Sequence, residues 1–331
     1  MLNLELKLNP KIFEEVEQKP IRDGYGDALI EAGEKNHNIV VLTADLAEST
    51  RAHKFAARFP ERFIECGVSE QNMAGIAAGL AVSGKISFIS SYATFSPGKN
   101  WETIRTTIIY NNANVKIAGH HSGIVTGPDG ATHQATEDIA IMRCLPNVRV
   151  ISPCDYWEAK KATLYSVEEY GPFYLRYVRD KTPVITTEET PFRFGKIEKF
   201  WISKNENAEI AIMATGHLVY QALLAAKELE EEGIDVYVLN VHTIKPLDEE
   251  KILEVANKVK GIVTLEDHQI NGGMGSAIAE VIVQKSENKP KMIFLGLQNT
   301  FGESGKPDEL IKKYGMDKEA VKNAVKKLLT F

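Results

Sequence analysis

Residues 69–93 read SEQNMAGIAAGLAVSGKISFISSYA. As far as Gly84 they are mostly Ala, Gly and single large apolar residues, with no Pro. That composition predicts a helix whose small side chains let it lie close against its neighbours. From Lys85 the pattern shortens to β-favouring Ile, Phe and Ser, which predicts a strand. The same alternation extends outward in both directions. Upstream lies NIVVLTADL (38–46); downstream come NWETIRTTIIYNN (100–112), VKIAGHH (115–121), VRVISP (148–153), DYWEAKKATLYSVEE (155–169) and FYLRYV (173–178). Strand-length apolar runs separated by helices indicate crossover units around mainly parallel sheets, so the expected fold class is α/β.

The pattern breaks at DKTPVITTEETPFRFGK (180–196), rich in Thr, Pro and charge, which reads as a linker or edge hairpin. Alternation then resumes with AEIAIMAT (208–215), HLVYQALLAAKELEEEG (217–233), DVYVLNV (235–241), DEEKILEVANKV (248–259), GIVTLED (261–267), GGMGSAIAEVIVQK (272–285) and MIFLGL (292–297). Two three-layer α/β domains are expected, 1–190 and 191–331. A chain of 331 residues is long enough for two cores.

Composition excludes several classes. The net charge is -6, and no Lys/Arg run stands out, against a non-specific nucleic-acid binder. No apolar stretch is long enough to span a bilayer, and MLNLELKLNPK lacks a secretory layout; the expectation is a cytoplasmic protein. Three cysteines without CxxC spacing support neither a disulfide framework nor a zinc ribbon.

Four segments place polar residues just past strand ends, where open parallel sheets bind ligands: TADLAEST (43–50), CGVSEQNMAG (66–75), SYATFSPGKNW (91–101) and GHHSGIVTGPDGATHQ (119–134). Glu70 in a first helical turn would complement the helix dipole in any protein. On a helix this small-sided and deeply packed, however, a carboxylate needs a specific partner. Histidines 120, 121 and 133 flank a loop with glycines at 123, 127 and 130. This could be an ordinary surface loop, but such groups also suit hydroxyl binding and proton movement near neutral pH. Metal-ligand spacing is absent. Phe95 and Trp101 are either core aromatics or a slot for a flat heterocycle. Arg176 and Arg179 are either solvated or a fork for a phosphorylated ligand. No Walker loop occurs, and NGGMGSAIAE (271–280) lacks dinucleotide-loop spacing; it reads as close helix–sheet packing with room for a small anion.

Together these segments resemble the C-terminal half of transketolase, its pyrimidine-binding and C-terminal domains, with DGATHQ the most specific motif and ADL and GVSEQNM in support. The resemblance runs from about Arg22 to the final helices and is to the second subunit of a split enzyme. It implies thiamine diphosphate as cofactor, with Glu70 on the aminopyrimidine ring nitrogen, Phe95 stacked on that ring, Trp101 as a second aromatic, and Asp45 and Leu46 beside the thiazolium. It implies His133 and His121 in proton transfer, Asp129 on a sugar hydroxyl, and Arg22, Ser49, His121 and Arg179 around the sugar phosphate. Gly98 departs from the family, which commonly has a larger side chain there. No GDG motif occurs. The divalent metal (Mg or Ca) and the diphosphate are therefore expected on an N-terminal partner subunit carrying GDG, and this chain has no metal ligands of its own. Self-association of this chain is also expected. The implied activity is transfer of a two-carbon ketol unit between sugar phosphates in carbohydrate metabolism. Deoxyxylulose-phosphate synthase, the β subunit of a 2-oxo acid dehydrogenase and a non-catalytic regulatory half-protein stand as alternatives.

Overall fold

The computed structural model describes residues 1–203 and 207–330. Strands run in chain order as β1 (Gln18–Pro20), β2 (Ile39–Thr43), β3 (Phe63–Glu65), β4 (Ile86–Tyr92), β5 (Val115–His120), β6 (Arg149–Ile151), β7 (Phe173–Arg176), β8 (Lys181–Pro183), β9 (Glu198–Trp201), β10 (Ile210–Ala214), β11 (Val236–Asn240), β12 (Thr243–Lys245), β13 (Gly261–Gln269) and β14 (Lys291–Leu297). A seven-stranded sheet has the order β12-β6-β7-β5-β4-β2-β3, and a five-stranded sheet the order β14-β13-β10-β11-β9. Both are parallel except at one edge, where β12 and β9 run antiparallel. Helices cover the faces, so all of β2 and β10 is buried, as expected of strands read as continuous apolar runs.

Local chemistry fixes the helix ends. Asp155 and Asp248 cap the helices Tyr156–Glu168 and Glu249–Ala256, accepting hydrogen bonds from the Glu158 and Lys251 amides. Gly233, at φ 82°, turns the chain after the helix Val219–Glu231. The helix Glu70–Val82 buries Glu70, Met73, Ala74, Ala77, Ala78 and Ala81, a face small enough to lie close to the first sheet.

Two features differ from the sequence reading. The segment after Arg179 does not form a local hairpin; β8 pairs antiparallel with the distant β1. The sheets also trade material across the boundary drawn at 190. β12 joins the first sheet beside β6, while Leu2 bridges Trp201 and the Asn3 amide donates to the Phe200 carbonyl. Among the described residues no helix is long and apolar enough to cross a membrane.

Candidate active site

In the first sheet the connections reverse direction between β2 and β4, because β3 lies outside β2 and the chain then crosses back. Ligand crevices in open parallel sheets form outside the carboxyl ends of strands at such a reversal. The expected residues are arrayed there. Asp45, Leu46 and Ser49 follow β2, Glu70 follows β3, Phe95 follows β4, His121 follows β5 and Arg179 follows β7.

Glu70 is the first residue of its helix and only 3% exposed. Its Oε2 meets Lys99 Nζ at 2.8 Å, and its backbone carbonyl accepts from Asn100 Nδ2 at 3.0 Å. Among the described residues its Oε1 takes no hydrogen bond. The Asn100 amide also reaches Ser96 Oγ at 3.2 Å, tying the 94–100 turn across the helix head. Phe95, in that turn, is half-buried and lies nearly parallel to Tyr92, with ring centres 5.8 Å apart. Tyr92 in turn stacks on His121 at 3.7 Å, and His133 sits edge-on to Phe95 at 5.5 Å. The result is an aromatic wall with a carboxylate anchored beside it.

Behind that wall lies positive charge. Arg22 donates to the Ser49 carbonyl at 2.7 Å, so Ser49 contributes its backbone here, and the Arg22 Nε is buried without a partner. Burial, then the Arg51 charge, lowers the Arg22 pKa, with Arg179 adding to the effect. Arg179 donates to the Thr126 carbonyl at 3.1 Å and faces Asp129 at 3.7 Å. His121 is pushed down to about 2 by burial and then by Arg22, Arg179, His133 and Arg51, so its ring is neutral at pH 7, with Nδ1 buried and unpartnered. His121 therefore offers a hydrogen bond and no charge. His133 Nδ1 is 2.9 Å from Thr132 Oγ1.

The other expected residues are tied to partners of their own. Trp101 donates its indole N–H to the Ile141 carbonyl at 2.8 Å and packs with the apolar cluster on that side, away from the Tyr92–Phe95 stack. Asp45 is exposed in a left-handed turn (φ 61°), its amide held by Glu65 at 2.8 Å. Leu46, half-buried, donates its amide to Thr43 Oγ1 at 3.3 Å. Arg176 is not a phosphate fork: it is fully enclosed and clamped by Asp138 at 2.7 Å. The Gly-rich helix head at 271–275 is not open to an anion either, because Glu266 fills it, accepting from the Met274 and Gly275 amides at 2.7 and 2.9 Å. A Cβ built on Gly98 would meet the Ala93 carbonyl at 3.3 Å, so the turn itself is tight there. Sequence reasoning missed Tyr92, Lys99 and Arg51. The available signal was an aromatic at a strand's carboxyl end for Tyr92, and only spatial proximity for the other two.

Among the described residues no group of three or more His, Cys, Asp or Glu side chains could hold a metal ion. A reversing parallel sheet with a helix-head carboxylate, followed by a second α/β module, defines a two-module α/β protein with its ligand crevice at the reversal. Residues 17–184 match the family model for the transketolase pyrimidine-binding domain, and 201–321 that for the transketolase C-terminal domain. The chain belongs to the transketolase family. It is 47% identical over 306 residues to a protein named as a transketolase C-terminal section from Methanocaldococcus jannaschii, covering 92% of this chain and 94% of that one. Against human transketolase it is 34% identical over 312 residues, covering 93% of this chain and 49% of the human protein. A solved split-gene transketolase, described as an inactive β4 tetramer, superposes with a TM-score of 0.86 at 41% identity, covering 94% of this chain and 98% of that one. The chain thus carries the two domains of the C-terminal half of transketolase.

Proposed function

We propose that this chain is one subunit of a two-chain, thiamine-diphosphate-dependent transketolase that moves a two-carbon ketol unit from a ketose phosphate to an aldose phosphate. The observation that carries the reading is Glu70, buried at a helix head with one oxygen on Lys99 and the other unclaimed, beside the half-buried ring of Phe95 in the adjoining turn. A flat, protonatable heterocycle fits that combination, which a bare helix-dipole carboxylate would not need. When bound, thiamine diphosphate supplies the nucleophilic carbon that accepts the ketol unit.

The chain's own residues then divide the work. Glu70 holds a proton at the pyrimidine ring nitrogen, and Phe95 fixes the plane of that ring. Asp129 and His133 stand on the Gly-rich loop, Asp129 to read a sugar hydroxyl and His133 to move a proton at a sugar oxygen. Arg179 and Arg22 bind the distal phosphate through charge-assisted hydrogen bonds, with neutral His121 as a further donor. Asp45 and Leu46, just past the end of β2, are assigned to the thiazolium side of the cofactor, while Trp101, bonded to the Ile141 carbonyl, packs in the neighbouring apolar cluster.

The diphosphate and its divalent metal fall to an N-terminal partner carrying the GDG motif. Burying an unpaired diphosphate on this chain alone would cost several kcal/mol. The outward face of the Glu70 helix supports an assembly: Gly75 and Gly79 have open space beyond them, and the flanking Val68 and Val82 are 72% and 69% exposed. That surface suits both the partner and self-association.

The test is reconstitution. The purified chain, mixed with a GDG-containing N-terminal transketolase subunit, cofactor and Mg²⁺, should show ketol transfer between sugar phosphates, and calorimetry on the chain alone should show no tight cofactor binding. Tight binding and turnover by the chain alone would refute the two-chain reading. Oxidative decarboxylation of a 2-oxo acid by the mixture, without ketol transfer, would refute the transketolase assignment.

A further inference from the structure

The loop 123–134 carries Asp129 and His133, and the Thr126 carbonyl on it holds Arg179, yet its own sequence gives it little stiffness. Gly123, Gly127 and Gly130 all have positive φ, and the 3-10 turn Ile124–Asp129 is broken at Gly127. A segment with this backbone freedom is expensive to hold in one shape. Besides local bonds, from Thr126 Oγ1 to the His121 carbonyl and from the Gly123 amide to the Ala135 carbonyl, it is restrained by residues past 260, a region with no side chain in the site described above.

Asp267, in the strand β13, is 2% exposed. Its Oδ1 accepts the Ile124 amide at 2.9 Å, and its Oδ2 lies 3.5 Å from the Val125 amide and 3.1 Å from His217 Nε2. The fit is close on both sides, since a Cβ on Gly123 would fall 2.0 Å from Asp267 Oδ2. Burial alone would raise this carboxyl, but the His217 hydrogen bond and charge, then Arg176 and the Ile124 amide, hold it below the ordinary carboxylate value. A second hold lies at the far end of the loop. Gln134 Nε2 donates to the Ile124 carbonyl at 3.1 Å and to the Glu303 carbonyl at 2.9 Å, and a Cβ on Gly302 would sit 2.0 Å from Gln134 Oε1. The strap around Gly302–Pro307 thus leans on the loop, with Ser304 against Gly130 and Pro307 against Gly127.

We propose that Asp267 is a positioning residue for ketol transfer: with His217 behind it and the strap at 302–307 beside it, it holds the loop 123–134 by its backbone and so sets where Asp129, His133 and the Arg179 fork stand. The C-terminal module then acts on the reaction by bracing the sugar-binding wall, without touching substrate. This rests on the reading of that loop as the sugar-binding wall.

The experiment uses the full two-chain complex with two independent variants. Asp267→Asn must turn an NH₂ toward either the Ile124 amide or His217, and Gly302→Ala must drive Gln134 from its place. Both should raise the hydrogen-exchange rate of the Ile124 and Val125 amides by roughly tenfold, and raise KM for the ketose phosphate by about the same factor, the loss expected of a charged hydrogen bond in Asp267→Asn and of a buried amide hydrogen bond in Gly302→Ala. Apparent affinity for thiamine diphosphate should stay within about twofold, because the Glu70–Phe95 wall is held separately by Asn100 and Ser96. Unchanged exchange at 124–125, or an equal loss of cofactor affinity and sugar KM in both variants, would overturn the proposal in favour of a general structural role. Absence of ketol transfer by the wild-type complex would refute the functional reading instead. The exchange measurement needs no turnover and still shows whether Asp267 holds the loop.

Discussion

Removing the Arg179 guanidinium should separate phosphorylated from unphosphorylated substrates. Arg179→Ala deletes a charge-assisted fork, worth about 1.5–3 kcal/mol, or roughly one to two decades in binding. Two structural facts set where in that range the effect falls. The Arg179 side chain is 35% exposed, so solvent screens part of its attraction to a phosphate. Arg179 is also the counter-ion of Asp129 at 3.7 Å, so its loss leaves a carboxylate facing the incoming dianion. The first fact weakens the effect and the second restores it, giving an expected rise in KM of about 10- to 100-fold with kcat little changed. Arg179→Lys keeps the charge but loses the planar fork and should recover only part of the loss. The assay compares initial rates of the two-chain complex with a phosphorylated and an unphosphorylated donor, at low and high salt. An equal rise in KM for both donors would show that Arg179 serves only to hold the Thr126 carbonyl, and would refute its role in phosphate recognition.

Glu70→Ala should leave the fold intact by circular dichroism and cut ketol transfer by at least roughly 10²–10⁴-fold, as for a positioned proton-transfer group; near-normal turnover would remove the carboxylate from the chemistry. Glu158 is pushed up to about 7 by burial and then by Asp155, while the Cys154 amide and Asn240 oppose the shift. Because its folded value lies above its unfolded one, its stabilising contribution is full below the ordinary Glu range and is lost as pH rises through about 7. Glu158→Gln, with the Asn240 amide turned to present its unpartnered Oδ1, should flatten the fall in stability between about pH 5 and 8, measured by urea unfolding, by a difference on the order of 3 kcal/mol. Asp138→Ala should cost about 3–5 kcal/mol by stranding the buried Arg176 guanidinium, read as a lowered denaturation midpoint; an unaffected midpoint would reopen Arg176 as a ligand group.

What the sequence made legible followed from periodicity and strand ends. Runs such as 38–46 and 261–267 are strands because both faces of each sheet are covered, and polar residues just past those strands converge because the sheet reverses there. What stayed hidden depends on pairing across long separations. TIK (243–245) has no pattern of its own and becomes β12 only because β6 offers it an edge. Arg176 ends β7 and Arg179 follows three positions later, yet Asp138 and the Asp267 carbonyl enclose the first while the second reaches the site. Nor could spacing reveal that Glu266 fills the Gly-rich helix head, or that Lys99 already sits on Glu70.

The traded strand β12 has a consequence for how this chain can be cut. A fragment ending near residue 190 would leave β6 without its edge partner, exposing unpaired backbone donors and acceptors that invite pairing with other molecules. A fragment beginning there would lose the residues at the extreme start of the chain, Leu2 and Asn3, that border β9. Neither module is a clean cassette. Recombination that shuffles whole units should therefore transmit these two together, and domain-swap chimaeras should place their crossover so that 243–245 travels with the sheet it completes.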